Sequence, residues 1–295
     1  SVRIVERFAA GAHAVTNDMA EIVLAPRARL NITRVVDGAG PDATNLTTHH
    51  IALGEHAVLD HLTVSTGLGL MRAQGFCHVA GDEAEANFRA ATVAIGKHHA
   101  DNTLNMRHNA LASRSSEVFR SAVGDGGVSV VQGRIVVDPG AQKTDAKMMS
   151  NALFLDDTGE VVNKPELEIF ADDVQCGHGA TSGDLDDEPV FYLRARGIPE
   201  AEARRLLVEA FLLLSAFDAD MLRDGLSELF GPPVVGGRGR VGEAGPDRLV
   251  GPAVIGPLVD LSESPSRVVF ADLLVDLIDL FLGLFLVLMI ELVEA

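Results

Sequence analysis

Short runs of alternating apolar and polar residues, separated by Gly, Asp, Asn or Pro, fill the chain from residue 2 to about residue 183. Examples are AVLDHLTV at residues 57–64, ANFRAATVAI at 86–95 and VSVVQGRIVV at 128–137. A period of two predicts β-strands, since successive side chains on a strand point to opposite faces. No long helical period interrupts these runs, so helical crossovers are not expected. A sandwich, a barrel and a β-helix all remain open, because no strict residue-level repeat is visible.

The pattern changes at about residue 184, where helical signals replace the alternation. Acids and a proline at residues 186–189 predict a helix start, and a second helix is predicted to open at Pro199. In that second helix the apolar residues fall on one face. A third helical segment is predicted at residues 218–230. The sequence therefore predicts a β domain over residues 1–183 and a helical domain over residues 184–230.

Residues 231–295 combine a Gly- and Pro-rich linker with an apolar helical tail whose role the sequence does not define. The uncharged part of the tail, residues 280–290, is 11 residues long, whereas a membrane-spanning helix needs about 20. Asp272, Asp276 and Asp279 form one acidic stripe on this helix. We therefore expect it to dock on a protein surface, and a membrane role is not expected.

The charge balance and the two cysteines limit the function classes. A formal net charge of -18 disfavours nucleic acid and anionic membranes, because both repel a polyanion. Cys77 and Cys176 cannot form a disulfide framework, which favours a reduced, cytoplasmic protein. The N-terminal residues lack the basic-then-apolar order of a signal peptide. Their pattern is typical of the interior of a domain, so an upstream segment is expected. No phosphate-binding loop motif occurs, so this chain itself is not expected to bind or hydrolyse a nucleotide.

Cys176 and His178 form the candidate site, because they lie two residues apart in a glycine-flanked turn directly after a strand-like run. If the backbone there is extended, the thiol and the imidazole project the same way and could hold iron or a soft metal. Two ligands are fewer than the three or four of most metal sites, so the others would come from elsewhere. The alternative is that Cys176 is a small buried residue and His178 a hydrogen-bonded one.

The remaining histidines and Cys77 are interpreted as structural. His49 and His50, like His98 and His99, are adjacent, and adjacent residues on a strand point to opposite faces. Each pair therefore cannot serve one metal site without a bulge. Cys77 lies in a strand-like run and is expected in the core.

Three motifs carry a resemblance to a known family. They are GRIVVDPGAQKTDA at residues 133–146, KPELEIFADDVQCGHGAT at 164–181 and FYLRARGI at 191–198. Together they resemble the SufB/SufD family, the scaffold subunits of the SUF iron–sulfur cluster assembly system, and the SufD branch more closely than the SufB branch. Gly177 departs from the pattern, since Ser is common there. The resemblance runs from about residue 46 to residue 230.

The resemblance implies a mainly β fold, a right-handed parallel β-helix with a C-terminal helical domain. It implies a non-catalytic scaffold that pairs with a SufB-like subunit and docks a SufC-like ABC ATPase through its helices. A transient iron–sulfur cluster or iron would form near the subunit interface, with His178 as its ligand and Cys176 second. A purely structural β-solenoid that binds partners without a metal role is the alternative.

Overall fold

The structure is a computed structural model that describes residues 1–11 and 13–213 of the 295-residue chain. Parallel strands stack into a β-solenoid of about six turns, and two α-helices follow. The fold class predicted from the resemblance, a mainly β parallel β-helix with helices after it, is confirmed. The third helix predicted at residues 218–230 and the tail at 231–295 lie outside the described residues.

The described residues contain eleven strands and two helices. Their bounds are β1 Val2–Ala10, β2 Val15–Leu24, β3 Arg29–Leu53, β4 Val58–Val79, β5 Glu85–Ile95, β6 His99–His108, β7 Arg114–Gly124, β8 Val128–Val137, β9 Asp145–Phe154, β10 Glu160–Ile169, β11 Gln175–Asp184, α1 Asp187–Ala195 and α2 Glu200–Leu213.

The strands form two faces that enclose the core. Residues 30–38 of β3 pair with β1, and residues 44–53 of the same strand pair with β2, so β3 contributes to both faces. Beyond β4, one face continues through β5, β7, β9 and β11, and the other through β6, β8 and β10. Paired residues are separated by 27 positions between β4 and β5 and by 31 between β7 and β9. We name the face of β5, β7, β9 and β11 the first face, and the face of β6, β8 and β10 the second face.

Alternation along each strand fills the interior. On the second face, Ile51, Cys77, Met106, Ile135 and Leu167 stack in one inward column, because each is the register partner of the next. The first four are at most 3% exposed and belong to the main core cluster. Burying one such side chain stabilises the fold by about 2 kcal/mol, and truncating Ile135 to alanine would cost roughly 2–5 kcal/mol.

A stacked turn repeats between successive coils although its residues do not repeat. His56, Glu83, Ala112 and Lys143 all have positive φ, between 51° and 65°. Each backbone N–H in this series donates to a carbonyl of the next turn, from His56 to Asp82 through Lys143 to Asp173. Because these residues differ in chemistry, the sequence carries no visible repeat even though the backbone does.

The two helices cover part of the first face on its outer side. Helix α1 is capped by the Asp186 side chain, which accepts a hydrogen bond from the backbone N–H of Glu188 at 2.9 Å, as the acidic helix start predicted. Helix α2 begins at Glu200, and its Val208 and Leu212 pack against a cluster that includes Leu62. The helical pair is thus attached to the solenoid through an apolar contact.

Candidate functional site

Cys176 and His178 lie on β11, the last described strand of the first face. In the register with β9, Cys176 pairs with Ala146 and His178 with Met148, two buried residues that face the interior. The thiol and the imidazole therefore lie on the same, inward side of β11, as strand geometry predicts. The glycine-flanked turn expected there is a strand instead, because residues 175–184 pair continuously with β9.

The open end of the solenoid exposes the two side chains to different degrees. Cys176 is half-buried and packs against the main core cluster, whereas His178 is exposed. Burial is the main cause that raises the pKa of the Cys176 thiol, and the carboxyls of Asp145 and Glu117 raise it further. A hydrogen bond with the backbone of Ala146 acts in the opposite direction. The thiol form is thus favoured until a metal displaces the proton.

Met148 forms the floor beneath His178. Its thioether occupies the space beside Gly133 on the second face, where a Cβ atom would lie only 2.1 Å from the Met148 methyl carbon. One coil further down the same inward column lies Glu117, which pairs with Met148 in the register and is fully buried. Burial raises the pKa of Glu117 to about 8, so this carboxyl is largely neutral at pH 7.

The two glycines beside His178 have different surroundings. No atom lies within 4 Å of the position that a Cβ atom would take at Gly177, so the outer side of β11 is open there. At Gly179 the corresponding position lies 2.8 Å from the methyl carbon of Met149. A partner can therefore approach the backbone closely at Gly177, while Gly179 accommodates Met149.

Two ion pairs lie near the open end. Lys164 lies 3.1 Å from Glu166, and Arg134 lies 2.6 Å from Glu168. Within residues 1–11 and 13–213, no group of three or more His, Cys, Asp or Glu side chains is arranged to hold a metal ion. The site thus offers one soft ligand, the Cys176 thiol, and one borderline ligand, the His178 imidazole. A complete metal site would need groups from a partner.

The family model for the SUF system FeS cluster assembly SufBD core domain matches residues 1–211. The chain belongs to the SufBD family. The iron–sulfur cluster assembly protein SufD of Escherichia coli K12 is 34% identical over 172 residues, which cover 57% of this chain and 41% of that protein. A SufBD family protein of Mycobacterium leprae is 32% identical over 219 residues, 72% of this chain and 55% of its own length.

A SufBD family protein of Synechocystis PCC 6803 is 30% identical over 195 residues, or 66% of this chain and 43% of its own length. The chain thus spans about half the length of the relatives it matches. Its similarity to SufD agrees with the branch that the sequence motifs indicated. Among the described residues of this SufBD chain, no helix is long and apolar enough to cross a bilayer.

Several of the histidines interpreted as structural have protein partners in this SufBD chain. His98 lies 2.8 Å from the Leu68 carbonyl oxygen through Nδ1, and His108 contacts two serine hydroxyls at 2.8 and 3.0 Å. His49 points inward, whereas its neighbour His50 stacks on Phe76 outside, so the two have opposite directions as expected. Cys77 is 2% exposed and lies in the core, which confirms its assignment.

A buried polar cluster near the first coils was not predicted from the sequence. Arg34, 1% exposed, pairs with Glu6 at 3.0 Å and lies 3.7 Å from Asp18. It also approaches His49, whose Nδ1 lies 3.3 Å from Nε2 of His61 beside a cavity of about 40 Å³. Burial, together with Arg34, lowers the pKa of His49 to about 4. A neighbouring guanidinium disfavours a metal cation here, so we assign the cluster a structural role.

Glu117 and the Arg34 cluster escaped prediction for the same reason. Side-chain period two tells which residues share a face, but not which face is inside or which coils stack. A charged residue at an inward position, such as Glu117 in SSEVF, is the signal that could have been noticed once the inward positions were known.

Proposed function

We propose that this chain is a non-catalytic scaffold subunit of a SUF iron–sulfur cluster assembly complex. It pairs with a SufB-like subunit through the open end formed by β10 and β11, and it docks a SufC-like ABC ATPase through its helices. A nascent iron–sulfur cluster or iron is the cargo, held near the subunit interface by His178 and, second, by Cys176. Its place of action is the cytoplasm, where iron–sulfur scaffolds require reduced thiols.

The observation that carries this proposal is the position of the Cys176–His178 pair. Both side chains lie on the inward side of β11, at an end of the solenoid where no further described strand covers them. The outer edges of β10 and β11 present backbone groups that a partner strand can pair with. A SufB-like partner that extends the coil would enclose the thiol and the imidazole and could supply the missing ligands.

Two exposed aromatic residues support docking of a protein on the helices. Phe191 on α1 is 71% exposed and its neighbour Tyr192 is 42% exposed, although large aromatic side chains are normally covered. Aromatic residues of this kind are enriched among those that contribute most to protein–protein binding. The relatives are named as assembly proteins, which supports a scaffold role without catalysis by this chain.

Iron and sulfide analysis of the purified complex tests the proposal. The chain is co-expressed with the SufB-like and SufC-like proteins from the same source and purified anaerobically as wild type and as His178→Ala. His78→Ala is the matched control, because His78 is also exposed but lies on the outer side of β4. We expect the complex to form in all three cases, with iron and sulfide lost only in His178→Ala.

Two outcomes contradict the proposal in different ways. A complex of unchanged iron and sulfide content in His178→Ala would leave the alternative, a structural solenoid that binds partners without a metal role. Failure of the wild-type chain to form a complex would refute the assembly role itself. Cys176→Ser, measured in parallel, establishes whether the thiol contributes to iron retention.

A further inference from the structure

Arg120 connects the solenoid to helix α2. It projects from the outer side of β7, and its guanidinium donates a hydrogen bond of 3.1 Å to the backbone carbonyl of Phe211 in the last turn of α2. The guanidinium also lies over the Phe211 ring, 5.0 Å from the centroid. A cation at this position is stabilised by the negative end of the helix dipole.

A second side-chain contact continues from β9 to the edge strand. Asn151 of β9 is the register partner of both Arg120 on β7 and Thr181 on β11, so all three point outward in one row. The Asn151 amide donates a hydrogen bond of 2.7 Å to the Thr181 hydroxyl. Thr181 belongs to the same strand as Cys176 and His178.

In the described part of the chain, the row contains one hydrogen-bond donor and one acceptor that have no partner. Among the described residues, the buried Nε of Arg120 has no acceptor, and the buried Oδ1 of Asn151 has no donor. These two atoms belong to neighbouring residues on the same side of the sheet. A buried donor and a buried acceptor left unpaired are each costly, and the register places these two residues side by side.

We propose that Arg120 and Asn151 are positioning residues that link helix α2 to the strand carrying Cys176 and His178. In the state observed here, Arg120 holds the Phe211 carbonyl and leaves Asn151 Oδ1 unpaired. In the alternative state, the guanidinium turns to Asn151, strengthens the row that ends at Thr181 and releases the end of α2. The same guanidinium therefore affects both the position of helix α2 and the stability of strand β11.

The importance of this link for cluster assembly rests on the proposed function, in which α2 belongs to the ATPase-docking region. A force or contact that displaces α2 would favour the alternative state and change the order of β11. Coupling is reciprocal, so a substitution at Thr181 must also change the stability of α2. The link itself is a property of this chain and is testable without partners or iron.

Amide hydrogen exchange of the full chain, followed by mass spectrometry over residues 175–184 and 200–213, tests the link. Arg120→Met is expected to speed exchange over 200–213 by about fivefold, the factor for losing one hydrogen bond's net contribution. Exchange over 175–184 should speed up by a smaller factor, because the variant also loses the alternative state that strengthens the row ending at Thr181. Asn151→Asp places a carboxylate beside the guanidinium and should act oppositely on the two segments, with slower exchange over 175–184 and faster exchange over 200–213. Arg114→Met, an exposed arginine on the same strand, is the control.

Thr181→Val provides a test if Arg120→Met fails to fold. It changes only the hydroxyl of the edge strand, which becomes a methyl group, and reciprocity predicts a change in exchange of roughly twofold or more over 200–213. The proposal is overturned if Arg120→Met accelerates exchange in α2 but leaves 175–184 at the wild-type rate. It is also overturned if Thr181→Val changes only its own strand. Because no iron is measured, these results are independent of the scaffold role.

Discussion

Glu117 makes the stability of this protein depend on pH in a way that one substitution should remove. The carboxyl is fully buried on the inward side of β7, and neither of its oxygens has a hydrogen-bond partner among the described residues. Burial raises its pKa from 4.5 to about 8, more than the neighbouring Ser115 hydroxyl and the Arg89 charge lower it. Folding therefore takes up a proton at neutral pH.

The sign and size of the effect follow from proton linkage. Because the folded state binds the proton more tightly, the contribution of Glu117 to stability is fully present below about pH 4.5 and is lost as the pH rises through about 8. At pH 7 the pH lies about 2.5 units above the ordinary pKa of 4.5, and each unit corresponds to about 1.4 kcal/mol. Relative to low pH, the folded state is therefore destabilised by a cost on the order of 3 kcal/mol. At pH 5 the same cost is below about 1 kcal/mol.

Glu117→Gln replaces the carboxyl by an uncharged amide of the same shape, so this cost should disappear. We expect the advantage of the variant over wild type in unfolding free energy to grow by roughly 2–4 kcal/mol as the pH rises from 5 to 8. Urea unfolding followed by circular dichroism at pH 5, 6, 7 and 8 measures the difference. Glu160→Gln, an exposed residue at the start of β10, is the matched control. A wild-type-to-variant difference that stays constant across this range would refute the assignment of a raised pKa.

Three further substitutions test the packing. Arg34→Met leaves the carboxylate of Glu6 without its 3.0 Å partner and should cost about 2–3 kcal/mol in urea unfolding, less than a fully buried pair because that carboxylate is partly exposed. Equal stability of the variant would contradict a net contribution of this ion pair. Ala112→Gly relieves a φ of 51° and should raise the melting temperature by a few degrees, corresponding to about 0.5–1 kcal/mol. A lower melting temperature would argue against strain at this turn. Gly133→Ala inserts a methyl group against Met148 and should cost about 1–3 kcal/mol, partly restored in the double variant with Met148→Ala; additive losses would show that the two residues do not share this space.

The candidate site was predicted in part. The spacing of Cys176 and His178 was enough to place both side chains on one side of an extended backbone, and the register with β9 shows that side to be the inward one. The floor made by Met148 and the neutral carboxyl of Glu117 below it could not be foreseen, because these residues are 28 or more positions from Cys176. They become neighbours only when successive coils stack.

The local elements were largely available from the pattern of residues. The runs at 86–95 and 128–137 became β5 and β8, and the acids before Pro189 marked the start of α1. The run at 57–64 became only the first part of β4, which continues to Val79 and contributes to both faces of the solenoid. Alternation describes one strand at a time, so it does not show where a strand bends or which strand it pairs with.

The sequence by itself determined that residues 2–183 form strands and that helices follow them. It placed Cys176 and His178 on one side only on the condition that their backbone is extended, and the structure met that condition. These properties depend on neighbours within a few positions, through side-chain period and helix capping. Only the tertiary structure decided which columns point inward, how Arg34 meets Glu6 and Asp18, and how Arg120 reaches both α2 and the row ending at Thr181. Such contacts join residues 16 to 91 positions apart, and they depend on the stacking of whole coils, which no short sequence window contains.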